Sequence, residues 1–301
     1  MNSRLSTLIY PHTDNEFMSF YERNEPFIVH NNDNLMKSIS DLSFLNSLDS
    51  MLQSWPSTIQ AHLPDLRDES SSISTSAQDA KKLHNNGMGL LFNEVQSISP
   101  FLSLWLENIR MDLGLSNLSY KRCLVYSTPN GKGTSPHFDQ NINFVCQIKG
   151  TKVWHLAPNQ HIQNPLTRHS MGTEPDSEMV GYLERNLPTK MPTDSQTVTL
   201  QPGSMLFVPR GYWHSTEATS DALALNFTFT ATTWIDLFTT ALRSRLSLSP
   251  EWRATANGVS DPKRLSMAEE ELETLLYSII EDLPNWNAQD IINATENKID
   301  Q

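Results

Sequence analysis

Cysteine is scarce in this chain: 301 residues contain two, Cys123 and Cys146. Two cysteines cannot make a disulfide framework, and both stand in strand-like runs, so buried reduced thiols are expected. Long apolar runs are missing. Nothing approaches the ~18 residues of a membrane helix, and the opening MNSRLSTLIYPHTDN holds no apolar stretch of signal-peptide length. The expectation is a soluble, cytoplasmic protein without a membrane partner. Positive charge is also short, with 22 Lys and Arg against 34 Asp and Glu, a net charge of −12. Domains that bind by neutralising phosphates are usually basic, so nucleic acid is not the expected partner. Internal repeats and charge blocks are absent. What remains is 38% hydrophobic residues, enough for a real core at this length.

The first hundred residues read mostly as helix. Thr13-Asp14-Asn15-Glu16 has capping-box form, with Phe17, Phe20 and Tyr21 at helical spacing behind it. Pro26 to Val29 and Leu90 to Phe92 read as short strands. Leu42 to Leu52 forms a helical stripe that should stop near Trp55-Pro56, and Pro100 to Leu113 forms another helix. Residues 68–78 are Ser-rich and aperiodic, and read as a loop. From Lys121 the pattern changes to short β-rich runs cut by turns, RCLVYST, HFDQNINFVCQI, TKVWHLA, QTVTL, MLFVP and ALALNFTF. A loop-rich stretch with five prolines, 157–195, interrupts them. Helix returns after Thr230, over 232–246 and over 266–282, the latter with Ser266 as its expected cap. The predicted fold is mainly β: a jelly-roll or barrel core with α flanks. The expected division is 1–118 as a helical and strand region packed on the barrel, 119–231 as the core, and 232–301 as a helical region.

Chemistry concentrates in the core. His137 and Asp139 are two apart, so on a strand they face the same way, and His214 follows 75 residues after Asp139. Two imidazoles and one carboxylate on one face of a metal suit Fe(II) and leave three positions open. The same parity continues to Asn141 and Asn143. Lys149-Gly150 reads as a hairpin turn, and the return strand carries Lys152 and Trp154. An inward Lys152 would need an anion; otherwise it is an ordinary exposed hairpin lysine. On the last strand Ala224, Asn226, Thr228 and Thr230 share a face opposite Leu223, Leu225, Phe227 and Phe229.

TSPHFDQNINFVCQIKGTKVWHLAP and GSMLFVPRGYWH resemble the JmjC branch of the cupin superfamily. Within that branch they resemble the asparaginyl hydroxylase of the hypoxia response and the ribosomal-protein oxygenases. The resemblance runs from about 85 to 230. It implies a double-stranded β-helix that uses Fe(II), 2-oxoglutarate as co-substrate, and O₂. His137, Asp139 and His214 would then be the metal ligands. Lys152 and Thr134 would hold the distal carboxylate of 2-oxoglutarate, and Asn143 and Asn226 would lie near its chelating end. Tyr126 is a candidate for a further co-substrate contact. No catalytic residue beyond the metal site is assigned. The resemblance implies a dioxygenase that hydroxylates a C–H of a protein or peptide side chain. A hydroxylase of a free amino acid or natural product, and a non-catalytic metal-binding cupin, stay open as alternatives. Lysyl demethylation ranks below hydroxylation because it belongs to more distant JmjC members. The apolar stripes of the C-terminal helices leave open both packing on the barrel and homodimerisation.

Overall fold

The computed structural model describes residues 4–63 and 72–296. Two compact units emerge. One joins the chain up to Gly114 with Tyr120–Thr230; the other joins Leu115–Ser119 with the chain from Ala231.

Among the described residues the first unit is built on thirteen short strands: β1 Phe27–Val29, β2 Ile59–His62, β3 Ser72–Thr75, β4 Gly89–Phe92, β5 Tyr120–Thr128, β6 Gly133–Phe138, β7 Ile142–Lys149, β8 Lys152–Ala157, β9 His169–Ser170, β10 Gln196–Leu200, β11 Met205–Val208, β12 Trp213–Ala218 and β13 Ala222–Thr230. They form two antiparallel sheets. The larger runs β1-β11-β7-β13-β5-β4-β2-β3 and the smaller β10-β8-β12-β6-β9. Val145, Leu206, Val208 and Ala224 of the large sheet pack with Trp154, Leu156, Val198 and Leu200 of the small one, so the sheets face each other over a common core.

Alternation along the strands decides what each face of the large sheet does. Phe144 and Phe207 point outward onto Phe17 of the helix Asp14–Glu22, with centroids at 5.7 and 5.1 Å. Phe227 points outward onto Trp105 of the helix Pro100–Asp112, at 4.9 Å. Each such aromatic, fully buried, contributes about 2–3 kcal/mol. Their neighbours in sequence, Asn143, Val145, Ala224 and Asn226, are left for the interior. The Thr13–Glu16 capping box forms as expected: the Glu16 amide donates to Thr13 Oγ1 at 3.3 Å, and the Thr13 amide donates to the Glu16 carboxylate at 2.8 Å.

The N-terminal region is less helical than its sequence suggests, because β1 to β4 all join the large sheet. Ile59–His62 is four residues long and carries no run of β-branched side chains; its pairing with β3 and β4, not local propensity, makes it a strand. Leu42 to Leu52 divides into a 3₁₀ turn, Ser43–Asn46, and a helix, Leu48–Ser54, capped by Ser47. Of the Ser-rich stretch, 68–71 lies outside the described residues. The remainder is strand β3 and the start of a helix, Ala77–Asn85, whose cap is Ser76.

The second unit holds the helices Trp234–Leu246, Leu265–Asp282 and Ala288–Glu296. Arg245 joins the first two by a paired contact to Asp282, at 2.7 and 2.5 Å. Ser266 is not the cap of the second helix. Arg264 stands at that position, without a side-chain hydrogen bond to the helix start. Among the described residues no helix is long and apolar enough to cross a membrane.

Candidate metal centre

His137 is the last residue but one of β6, and His214, the second residue of β12, lies directly across from it in the small sheet. The two strands run very close: a Cβ on Gly133 would lie 1.7 Å from the Thr216 carbonyl oxygen, so only glycine fits there. The imidazole centroids are 4.1 Å apart. Each ring is fixed by its own chain. His137 Nδ1 lies 2.7 Å from the Ser135 carbonyl and His214 Nδ1 lies 2.9 Å from the Tyr212 carbonyl. A carbonyl only accepts, so Nδ1 carries the proton in both rings and Nε2 keeps its lone pair for a metal.

Asp139 lies in the turn after β6, not on a strand. The Gly211 amide donates to its backbone carbonyl at 2.8 Å, tying that turn to the one that precedes His214. One ligand atom from each of His137, Asp139 and His214 falls within 4.8 Å of the others. Burial pushes both histidines down from their ordinary value; the adjacent His214 lowers His137 further, and Asp139 only partly opposes this. Burial raises the Asp139 carboxyl, but His137, His214 and Arg168, with the Asn143 amide, more than reverse it. Neutral imidazoles beside an ionised carboxylate are the protonation states that metal ligation requires.

These three residues open onto one cavity, which is also lined by Tyr126, Thr134, Asn143, Lys152 and Asn226. Lys152 is 5% exposed, so it is not a surface hairpin lysine. Burial lowers it to about 8. No hydrogen bond or ion pair among the described residues reaches its ammonium. Thr134 Oγ1 and Thr216 Oγ1 are 2.9 Å apart. Asn143 donates to Asp139 Oδ2 at 3.3 Å and accepts from Thr228 at 2.8 Å. Among the described residues Asn226 Oδ1 is buried and has no hydrogen-bond partner.

Three expectations need correction. The run HFDQNINFVCQI puts His137 at the head of a strand, whereas it lies near the end of β6. The parity argument then fails, because β6 and β7 belong to different sheets and the turn through Asp139 crosses between them. Asn143 reaches the cavity as the second residue of β7, whereas Asn141 lies in the turn and accepts from Thr230 at 2.6 Å. Lys149-Gly150 is likewise no hairpin, since β7 and β8 lie in different sheets.

Arg168, Thr216 and Trp154 complete the surroundings. Thr216 is two residues beyond His214 on β12, so the alternation rule applied there would have found it. Trp154 stacks on His214 at 5.6 Å. Arg168 Nε lies 3.3 Å from Asp139 Oδ1; it sits in the loop-rich insert, where no periodicity points to it.

A family model of the JmjC domain matches residues 105–237. The matched segment begins within the helix Pro100–Asp112 and spans β5 to β13, so it includes every residue of the cavity named above. Over nearly its whole length the chain is similar to an uncharacterised protein, YxbC, of Bacillus subtilis. The two are 28% identical over 306 residues, covering 99% of this chain and 93% of the other. It is 31% identical over 131 residues to the bifunctional lysine-specific demethylase and histidyl-hydroxylase NO66 of Dictyostelium discoideum, covering 42% of this chain but only 23% of that protein. The ribosomal oxygenase YcfD of Escherichia coli, solved with cobalt and 2-oxoglutarate, superposes with a TM-score of 0.52 at 16% identity over 86% of this chain and 66% of that one. At that identity the likeness speaks for the fold: a β core flanked by helices.

Proposed function

We propose that the chain is an Fe(II)- and 2-oxoglutarate-dependent oxygenase that hydroxylates a C–H of a protein or peptide side chain. The observation that carries this reading is a single cavity with a His-Asp-His cluster and a buried, uncompensated lysine. The donor set fits Fe(II) and leaves coordination positions open. The unpartnered Lys152 ammonium and Asn226 oxygen fit an anionic ligand that carries polar groups, since buried polar groups are costly to leave unpaired.

In this reading His137, Asp139 and His214 hold the metal. When bound, the iron with 2-oxoglutarate and O₂ supplies the oxidising power for the C–H bond. The chain's own residues set orientation and shielding. Lys152 and Thr134 hold the distal carboxylate, and Thr216 fixes the Thr134 hydroxyl. Asn143 orients Asp139 while Thr228 orients Asn143. Asn226 and Tyr126 face the co-substrate, and Trp154 keeps water from the His214 ring. The names of the NO66 and YcfD relatives, a histidyl-hydroxylase and a ribosomal oxygenase, support a protein substrate.

Purified protein given Fe(II) and 2-oxoglutarate should release succinate and bind 2-oxoglutarate in calorimetry. Neither effect under any condition would reject the oxygenase and leave a metal-binding cupin. Mass spectrometry of material recovered with an inactive variant would separate peptide from small-molecule substrates, and a +16 Da product from a demethylated one. We also propose self-association through the helix Leu265–Asp282, which buries none of its residues and exposes Leu272, Leu276 and Ile280. A purely monomeric mass in light scattering would reject it.

A further inference from the structure

The insert between β8 and β10 is attached to each metal-ligand element separately. Its strand β9 pairs with β6 where His137 lies, in the register His137 to Ser170. Arg210, just before the turn that leads to His214, donates from Nε and Nη2 to the Pro165 carbonyl at 2.9 and 2.7 Å. Gly211 packs so closely on Pro165 that a Cβ would meet its ring carbon at 2.8 Å. The third attachment is Arg168 on Asp139.

The two oxygens of Asp139 have different neighbours. Oδ2 faces the ligand cluster, 3.7 Å from His214 Nε2 and 3.3 Å from the Asn143 amide nitrogen. Oδ1 lies at ion-pair distance from Arg168 Nε, 3.3 Å. Arg168 is itself aimed by a hydrogen bond from Nη1 to Ser170 Oγ at 3.0 Å, on the strand that pairs with His137. A carboxylate can bind a cation through one oxygen or both. The distinction matters at a site with three protein ligands, because a chelating co-substrate takes two more positions and O₂ needs the last.

We infer that Arg168 is a positioning residue that holds Asp139 Oδ1 off the metal, so that Asp139 ligates through Oδ2 alone and a coordination position stays open. A guanidinium suits the task, being planar, permanently charged and less strongly hydrated than an ammonium. The insert thereby acts on the candidate metal site. This inference rests on the oxygenase reading above.

Co(II) is the probe. Its ligand-field spectrum reports coordination, and calorimetry reports Co(II) binding and then 2-oxoglutarate binding. In Arg168→Met, Co(II) should bind at least as tightly as in the wild-type protein, with an altered spectrum before co-substrate is added. 2-Oxoglutarate should then bind about tenfold more weakly, the lower end of what outer-sphere substitutions cost. Arg168→Lys should recover most of that loss. An Arg168→Met protein with unchanged spectrum and unchanged 2-oxoglutarate affinity would overturn the inference. So would one that binds Co(II) more weakly in step with a lowered melting temperature, since Arg168 would then only support the fold. A wild-type protein that binds Co(II) but no 2-oxoglutarate would defeat the oxygenase reading itself, a result distinct from either.

Discussion

The two ends of the cavity are built on opposite terms. At the imidazole end the three clustered residues are already held: His137 and His214 by carbonyls, and Asp139 by Asn143, Gly211 and Arg168. At the lysine end Lys152 is buried with no counter-charge among the described residues, and Asn226 Oδ1 has no partner. The first end is organised before anything binds, as a metal site must be to fix its ligands. The second is left in deficit, and only an incoming anion removes the deficit. Burial holds Lys152 near 8, against 10.5 for an ordinary lysine. That gap corresponds to about 3 kcal/mol of folding free energy given up while the group is charged.

The contrast can be broken most completely at the organised end. Asp139→Ala removes the only carboxylate of the cluster, and succinate release should fall to background; residual turnover in that variant would remove Asp139 from the metal site. At the other end, Lys152→Met should weaken 2-oxoglutarate binding at least 100-fold, the scale expected when one partner of a buried charge pair is truncated. The same variant should unfold at higher denaturant concentration in the ligand-free state, by about 3 kcal/mol. A destabilised Lys152→Met protein would mean that the lysine has a partner and is no deficit.

The pH dependence sharpens the same point. The folded state binds fewer protons at Lys152 than the unfolded state between pH 8 and 10.5, so the penalty is complete below 8 and fades as pH rises through that window. The stability gap between Lys152→Met and wild type should therefore be widest below pH 8 and close toward 10.5; a gap that widens with pH contradicts the assignment. The smallest effect is expected at Asn226. Asn226→Leu removes one neutral hydrogen-bonding group, worth about 1 kcal/mol, so 2-oxoglutarate affinity should drop about fivefold with succinate release still measurable at saturation. An unchanged affinity would place Asn226 outside the co-substrate contacts.

Much of this site was legible in the linear chain, for a specific reason. His137, Asp139, Thr134 and Lys152 lie within nineteen consecutive residues, and the spacing of such a run is itself informative. Asn226 was legible through alternation along β13, which holds because that strand is unbroken from Ala222 to Thr230. The same rule misled between Asp139 and Asn143, where the chain leaves one sheet and enters the other. Asn141 was thus grouped with Asn143 although its amide oxygen is taken up by Thr230. Ser266 failed as a cap because local composition cannot tell the residue before a helix from one inside its first turn.

By itself the sequence determined the β core, its helical flanks and the residue types of the candidate metal cluster and of the lysine near it, because hydrophobic periodicity and motif spacing are local properties. Only the tertiary structure decided which of those residues share a cavity, that β1 to β4 extend the large sheet, that Lys152 is buried without a counter-charge, and that Arg168 stands on Asp139. Those facts depend on pairings between strands distant in the chain, such as β9 with β6 and β12 with β6. Such pairings are set by how two sheets close over one core, and no local pattern carries them.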